Sequence, residues 1–195
     1  MEFRIERKPS ENLHKYPTDD LKTAQTFANR VKKELDHFLL AAALFGSSAR
    51  NQATEHSDID VLLVTDDTQF AITESLIEGY RLIIDNLIKT TSMKLHVTSM
   101  TFTSFWEHVR SSDPVVVNIL RDGVPLLDVG FFTPLQELLK QGRIRPSEES
   151  VWRYFGRAPK TLTNSRWHTL QATLDLYWAV IDSAHAALMR QNQVP

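Results

Sequence analysis

The residues best suited to chemistry lie between positions 45 and 64. They are Phe45-Gly46-Ser47-Ser48-Ala49-Arg50, then Ser57-Asp58-Ile59-Asp60 running into Val61-Leu62-Leu63-Val64. Glycine lets backbone approach a ligand closely. Free N–H groups at a helix start, with hydroxyls beside them, form an anion cradle. Arg50 adds a charge suited to phosphate. On a strand, Asp58 and Asp60 would share one face, with Cα atoms roughly 6.5–7 Å apart. Such a pair suits Mg²⁺, which takes one or two carboxylates plus substrate phosphates. Paired metals stabilise both oxygens of an in-line phosphoryl displacement. The pattern therefore reads as nucleotidyl transfer from an NTP, with Gly46, Ser47 and Ser48 on the β- and γ-phosphates and Asp58 and Asp60 on metal. The bland alternative makes Asp60 a solvated strand position. It is disfavoured because Asp60 interrupts an apolar run, where an unpaired charge is costly.

These residues need elements to position them. Thr18-Asp19-Asp20 has the acids of a helix start, and Leu21, Ala24, Phe27, Ala28, Val31 and Leu35 recur at helical spacing. Leu39 to Phe45, ended by Gly46, reads as a buried strand, and Asp58 to Thr65 as a second. Phe70 to Lys89 is expected as an amphipathic helix and Leu95 to Met100 as a third strand. Phe102 to Arg110 reads as a helix broken by Asp113-Pro114. A short helix over Pro114 to Arg121 and an edge strand over Val124 to Asp128 follow. Beyond Gly130 the pattern is helical: Pro134 to Gln141, Ser147 to Phe155, and Thr161 to Gln191. The last has a stripe at Leu170, Leu174, Tyr177, Ile181, Ala184 and Leu188. The fold class expected is α+β with a helical appendage. Its boundary falls at 142/143, with a front domain over 1–142 and a helical segment over 143–195.

The 195 residues are 42% hydrophobic and 24% charged, a soluble globular balance. With no cysteine, the chain has no disulfide scaffold, thiolate zinc site or catalytic thiol. Met1 to Lys8 carries charges of both signs and is followed by no apolar leader segment. The longest clean apolar run, Phe38 to Phe45, is eight residues, against about 20 for a membrane span. A cytoplasmic protein with no membrane partner is expected. Net charge is −2, so there is no global drive toward nucleic acid. Residues 140–195 carry eight Lys or Arg against four acids, and the rest of the chain is acidic, which also suggests two parts.

Gly46-Ser47, the interval, and Asp58-Ile59-Asp60 resemble the signature of the DNA polymerase β nucleotidyltransferase superfamily, most closely its minimal nucleotidyltransferase branch. The resemblance implies a small mixed sheet flanked by helices, Ser47 on the triphosphate, and Mg²⁺ on Asp58 and Asp60. It also implies a third carboxylate on the next strand. In Met93-Lys94-Leu95-His96-Val97-Thr98 the alternation puts His96 there, able to ligate metal or act as a base but a poorer Mg²⁺ ligand than an acid. Asn51 stands where the family usually has glycine, and Asn tolerates left-handed backbone. The segment from Phe105 to Asp128 looks like the part that completes this domain in archaeal relatives. The tail from Asp175 to Leu188 looks like a core helix of the HEPN domains often found beside minimal nucleotidyltransferases, though short for a whole one. Ribonuclease members carry an Arg separated from the His by four to six intervening residues. Trp178, Ala179 and Val180 stand at those places before His185, which disfavours that activity.

Two functions from different classes follow. The first is a Mg²⁺-dependent transferase moving a nucleotidyl group, AMP if the NTP is ATP, to a protein, RNA or small-molecule acceptor with pyrophosphate release. Asp58, Asp60 and His96 would be its catalytic residues, and Gly46, Ser47, Ser48 and Arg50 its nucleotide-binding residues. The second is a non-catalytic nucleotide-binding module, an antitoxin-like partner or sensor, with His96 in place of the acid as the reason. A homodimer through the C-terminal helix is expected because one long helix cannot bury its stripe alone.

Overall fold

The computed structural model describes residues 10–46 and 58–191. The chain divides into two compact units, Met1–Pro146 and Ser147–Pro195.

The front unit is built on a four-stranded mixed sheet in the order β3-β2-β1-β4. Its strands are β1 (Leu39–Phe45), β2 (Ile59–Thr65), β3 (Leu95–Thr101) and β4 (Val124–Asp128). β1 runs antiparallel to both β2 and β4, and β2 runs parallel to β3. The two central strands are near-continuous apolar runs because both faces are covered. α1 (Thr18–Leu35) and α2 (Glu74–Thr91) lie on one face. Phe27, Val31, Ile84 and Leu87 pack there against Leu39, Leu44, Val61 and Leu63. α3 (Phe102–Arg110), α4 (Pro114–Asp122) and α5 (Phe132–Lys140) lie on the other. Phe105, Val116, Ile119 and Phe132 pack there against Ala41, Ala43, Leu62 and Val64. The alternation along the two central strands thus divides their side chains between two cores. This is the α+β class.

Several boundaries differ from expectation by one or two residues, among them the end of β3 and both ends of α5, and three differences are more telling. Asp58 precedes β2 and does not begin it. α2 starts at Glu74 and not at Phe70, because Thr73 caps it: its hydroxyl accepts from the Leu76 N–H at 3.3 Å. The third difference is in the tail. Two helices were expected, separated near Gly156 and Pro159, but α6 runs unbroken over Glu148–Arg190 with Pro159 inside. The residues around Pro159 are exposed. The Phe155 carbonyl, left without an amide partner, therefore faces water and not a dry core. Among the described residues, no helix is long and apolar enough to cross a membrane.

Asp128 joins β4 to α5. Its carboxylate accepts from the backbone N–H groups of Gly130, Phe131, Phe132 and Thr133 and from the Thr133 hydroxyl, at 2.8–3.1 Å. Burial alone would raise its pKa, but these donors hold it below the ordinary carboxylate value. A depressed folded pKa contributes stability that is present above the unfolded value and lost as pH falls through the folded one. Asp128→Ala should therefore lower stability near neutrality by about 1–2 kcal/mol, the range of a lost helix cap. Urea unfolding at several pH values should show the gap from the natural protein narrowing below about pH 4.

Candidate functional site

β1 ends where β2 begins, so the antiparallel register sets Phe45 opposite Asp60. The parallel register on the other side sets Asp60 opposite His96. Directly paired residues project to the same face of a sheet. Asp60 therefore lies in the same row as Leu62 and Val64, on the face covered by α3, α4 and α5. His96 Nδ1 stands 2.9 Å from Asp60 Oδ1, with the imidazole 68% and the carboxylate 22% exposed. Asp60 is mostly buried and His96 is its wet neighbour.

Gly46 completes this corner. Its φ is +110°, in the region that favours glycine. A Cβ added there would overlap Asp60 Oδ2 and lie 2.9 Å from its Cγ. The end of β1 thus closes directly on the carboxylate, Oδ2 toward Gly46 and Oδ1 toward His96.

The structure brings together Gly46, Asp60 and His96. Asp58 is exposed and lies just before the strand. Ser47, Ser48 and Arg50, with Asn51, lie outside the described residues. Among the described residues, no Lys or Arg pairs with Asp58 or Asp60, and no group of three or more His, Asp or Glu could hold a metal ion. Among the described residues, the Asp60 carboxylate is thus a partly buried acid with the His96 imidazole, and no Lys or Arg, beside it. Carboxylate oxygens are the donors Mg²⁺ prefers, and substrate phosphates supply the remainder of its shell. Asp58 and Asp60 fit Mg²⁺ in that sense, and the His96 nitrogen fits it less well.

Motif reasoning missed the wall of this corner. A cleft of about 210 Å³ opens beside Gly46, lined among the described residues by Phe45, Val115, Asn118, Ile119 and Asp122. Four of these come from α4, far along the chain, and no local spacing marks them. Asp67, also unforeseen, fixes the start of α3 by accepting from the Thr103 N–H at 3.0 Å and from its hydroxyl. Burial would raise its pKa, and these bonds hold it lowered.

Residues 25–125, just over half of the chain, match the family model described as nucleotidyltransferase domain. Among solved structures, a candidate nucleotidyltransferase from Sulfolobus solfataricus is 20% identical, with 63% of this chain and 91% of that one covered, at a TM-score of 0.39. A toxin–antitoxin with AMP-PNP is 14% identical, covering 77% and 98%, at a TM-score of 0.37. The toxin–antitoxin MntA–HepT is 15% identical, covering 75% and 98%, at 0.36. No curated protein matches the chain. The matched region holds β1, β2, α2, β3, α3 and α4, the elements that carry and wall the Gly46–Asp60–His96 corner. By the match over those residues, this chain belongs to the nucleotidyltransferase domain family.

Proposed function

We propose that the protein is a Mg²⁺-dependent nucleotidyltransferase that takes its nucleotidyl group from an NTP, ATP in the leading case. The observation that carries this reading is the glycine at φ +110° closed against the Asp60 carboxylate. It sets a glycine-favouring conformation against a carboxylate that is 22% exposed and that, among the described residues, no Lys or Arg pairs with. Gly46, with Ser47, Ser48 and Arg50 of the adjoining segment, would hold the β- and γ-phosphates. Asp58 and Asp60 would hold Mg²⁺, which when bound neutralises phosphate charge. An acceptor hydroxyl oxygen bonds to the α-phosphorus, the bond to the bridging oxygen breaks, and pyrophosphate leaves. In the tautomer that donates from Nδ1 to Asp60, the lone pair of His96 Nε2 is free to take the hydroxyl proton. The acceptor is a protein hydroxyl, an RNA end or a small molecule.

The second reading is a nucleotide-binding module without turnover. His96 in the row beside Asp60 favours it, since among the described residues no third carboxylate joins Asp58 and Asp60. In either reading α6 is proposed as a HEPN-like core helix. Leu170 and Tyr177 are 53% and 57% exposed, and a second copy of the chain would cover such a stripe.

The test is label transfer from α-³²P-ATP with Mg²⁺ into a host-cell lysate, comparing the natural protein with Asp58→Asn, Asp60→Asn. Label only with the natural protein establishes transfer, and the labelled species gives the acceptor class. Retained labelling by the double variant refutes the metal assignment. ATP binding without label favours the binding module.

A further inference from the structure

We infer that the cleft between β1 and α4 is the base subsite of this nucleotide site, and that Asn118 selects adenine over guanine. The inference rests on the nucleotide-binding reading above. The cleft shares Gly46 with the Asp60 corner, so a triphosphate held there has this space beside it. At about 210 Å³ it falls below the roughly 300–1,000 Å³ of pockets that take a whole ligand. It is sized for a flat ring, not for a nucleotide. Phe45, Val115 and Ile119 supply apolar surface, as a base held by its faces needs.

Among the described residues two polar side chains line the cleft, and they differ in what remains available. The Asp122 carboxylate already accepts from Lys15 Nζ at 3.0 Å and from Arg121 Nε and Nη2 at 3.1 and 2.9 Å. Asn118 is half-buried, and its amide makes no hydrogen bond among the described residues. It offers a carbonyl acceptor and an N–H donor in one plane. That pair matches the N6 amino donor and N7 acceptor of adenine. Guanine presents acceptors at both O6 and N7, which would set the Asn118 carbonyl against an acceptor. A site built to hydrogen-bond rejects a ligand that leaves its polar groups unpaired.

The test is isothermal titration of the full chain with ATP and with GTP, in Mg²⁺, for the natural protein and Asn118→Ala. Alanine suits this half-buried helix position, and circular dichroism checks the fold. The natural protein should bind ATP about 10-fold more tightly than GTP, and Asn118→Ala should bind both equally, through loss of affinity for ATP. Equal binding by the natural protein, or a preference that survives in Asn118→Ala, overturns the subsite. The transferase reading is judged separately by labelling. Selective binding without label keeps the subsite and removes transfer, and label transferred equally from ATP and GTP does the reverse. Failure to bind either nucleotide removes both.

Discussion

Asp60→Asn should lower nucleotidyl transfer by on the order of 10³-fold while leaving the fold intact. The substitution keeps the shape of a side chain that is 22% exposed and removes its charge. The resulting amide is a weaker donor to a hard cation than a carboxylate. The amide oxygen can still accept from His96 Nδ1, 2.9 Å from Oδ1 in the natural protein, so what the variant loses beside the imidazole is the negative charge and not the acceptor. His96→Ala should cost less, about 10²-fold, because the imidazole is the wetter member and takes no phosphate charge. Single-turnover rates with α-labelled ATP, beside urea midpoints for both variants, check the order. Equal losses would make the pair one catalytic unit. A larger loss for His96→Ala would move the central role from Asp60 to His96.

Gly46→Ala should weaken both the fold and nucleotide binding. The backbone there sits at φ +110°, which alanine adopts only at a cost of about 1–3 kcal/mol. The new methyl would also fall on the Asp60 carboxylate, so either β1 retreats or Asp60 turns away. Each movement separates Gly46, the proposed phosphate contact, from the acid. We expect a urea-derived stability loss of about 2–3 kcal/mol and ATP affinity reduced at least about 10-fold. Gly46→Ala with natural stability and natural ATP affinity would mean that the corner is not where the phosphates sit. Gly46→Ala, Asp60→Gly separates the two causes. It removes the clash and should recover part of the stability but no transfer.

Much of the fold was legible in the chain itself. Leu39–Phe45 and Val124–Asp128 appear as strands at the expected bounds, and Thr18–Leu35 and Phe102–Arg110 as helices, because their apolar spacing and flanking breakers agree. Legibility failed where a local cue competed with something longer-ranged. Phe70 and Ile72 extend the apolar pattern of α2 backwards, yet the Thr73 cap sets the start. Gly156 and Pro159 look like a break, yet α6 passes through them.

By itself the sequence determined the chemistry available: a glycine-serine turn, two aspartates two residues apart, and a histidine where an acid is usual. Those are matters of residue type and short spacing, which covalent order sets directly. Tertiary structure decided which of them meet. The contact of Asp60 with Gly46 depends on β1 pairing with β2, and its contact with His96 on the parallel register across an intervening helix. The Asn118 cleft depends on α4 packing against the end of β1. Strand register and helix packing come from burying two cores at once, and no window of sequence contains both sides of such a contact.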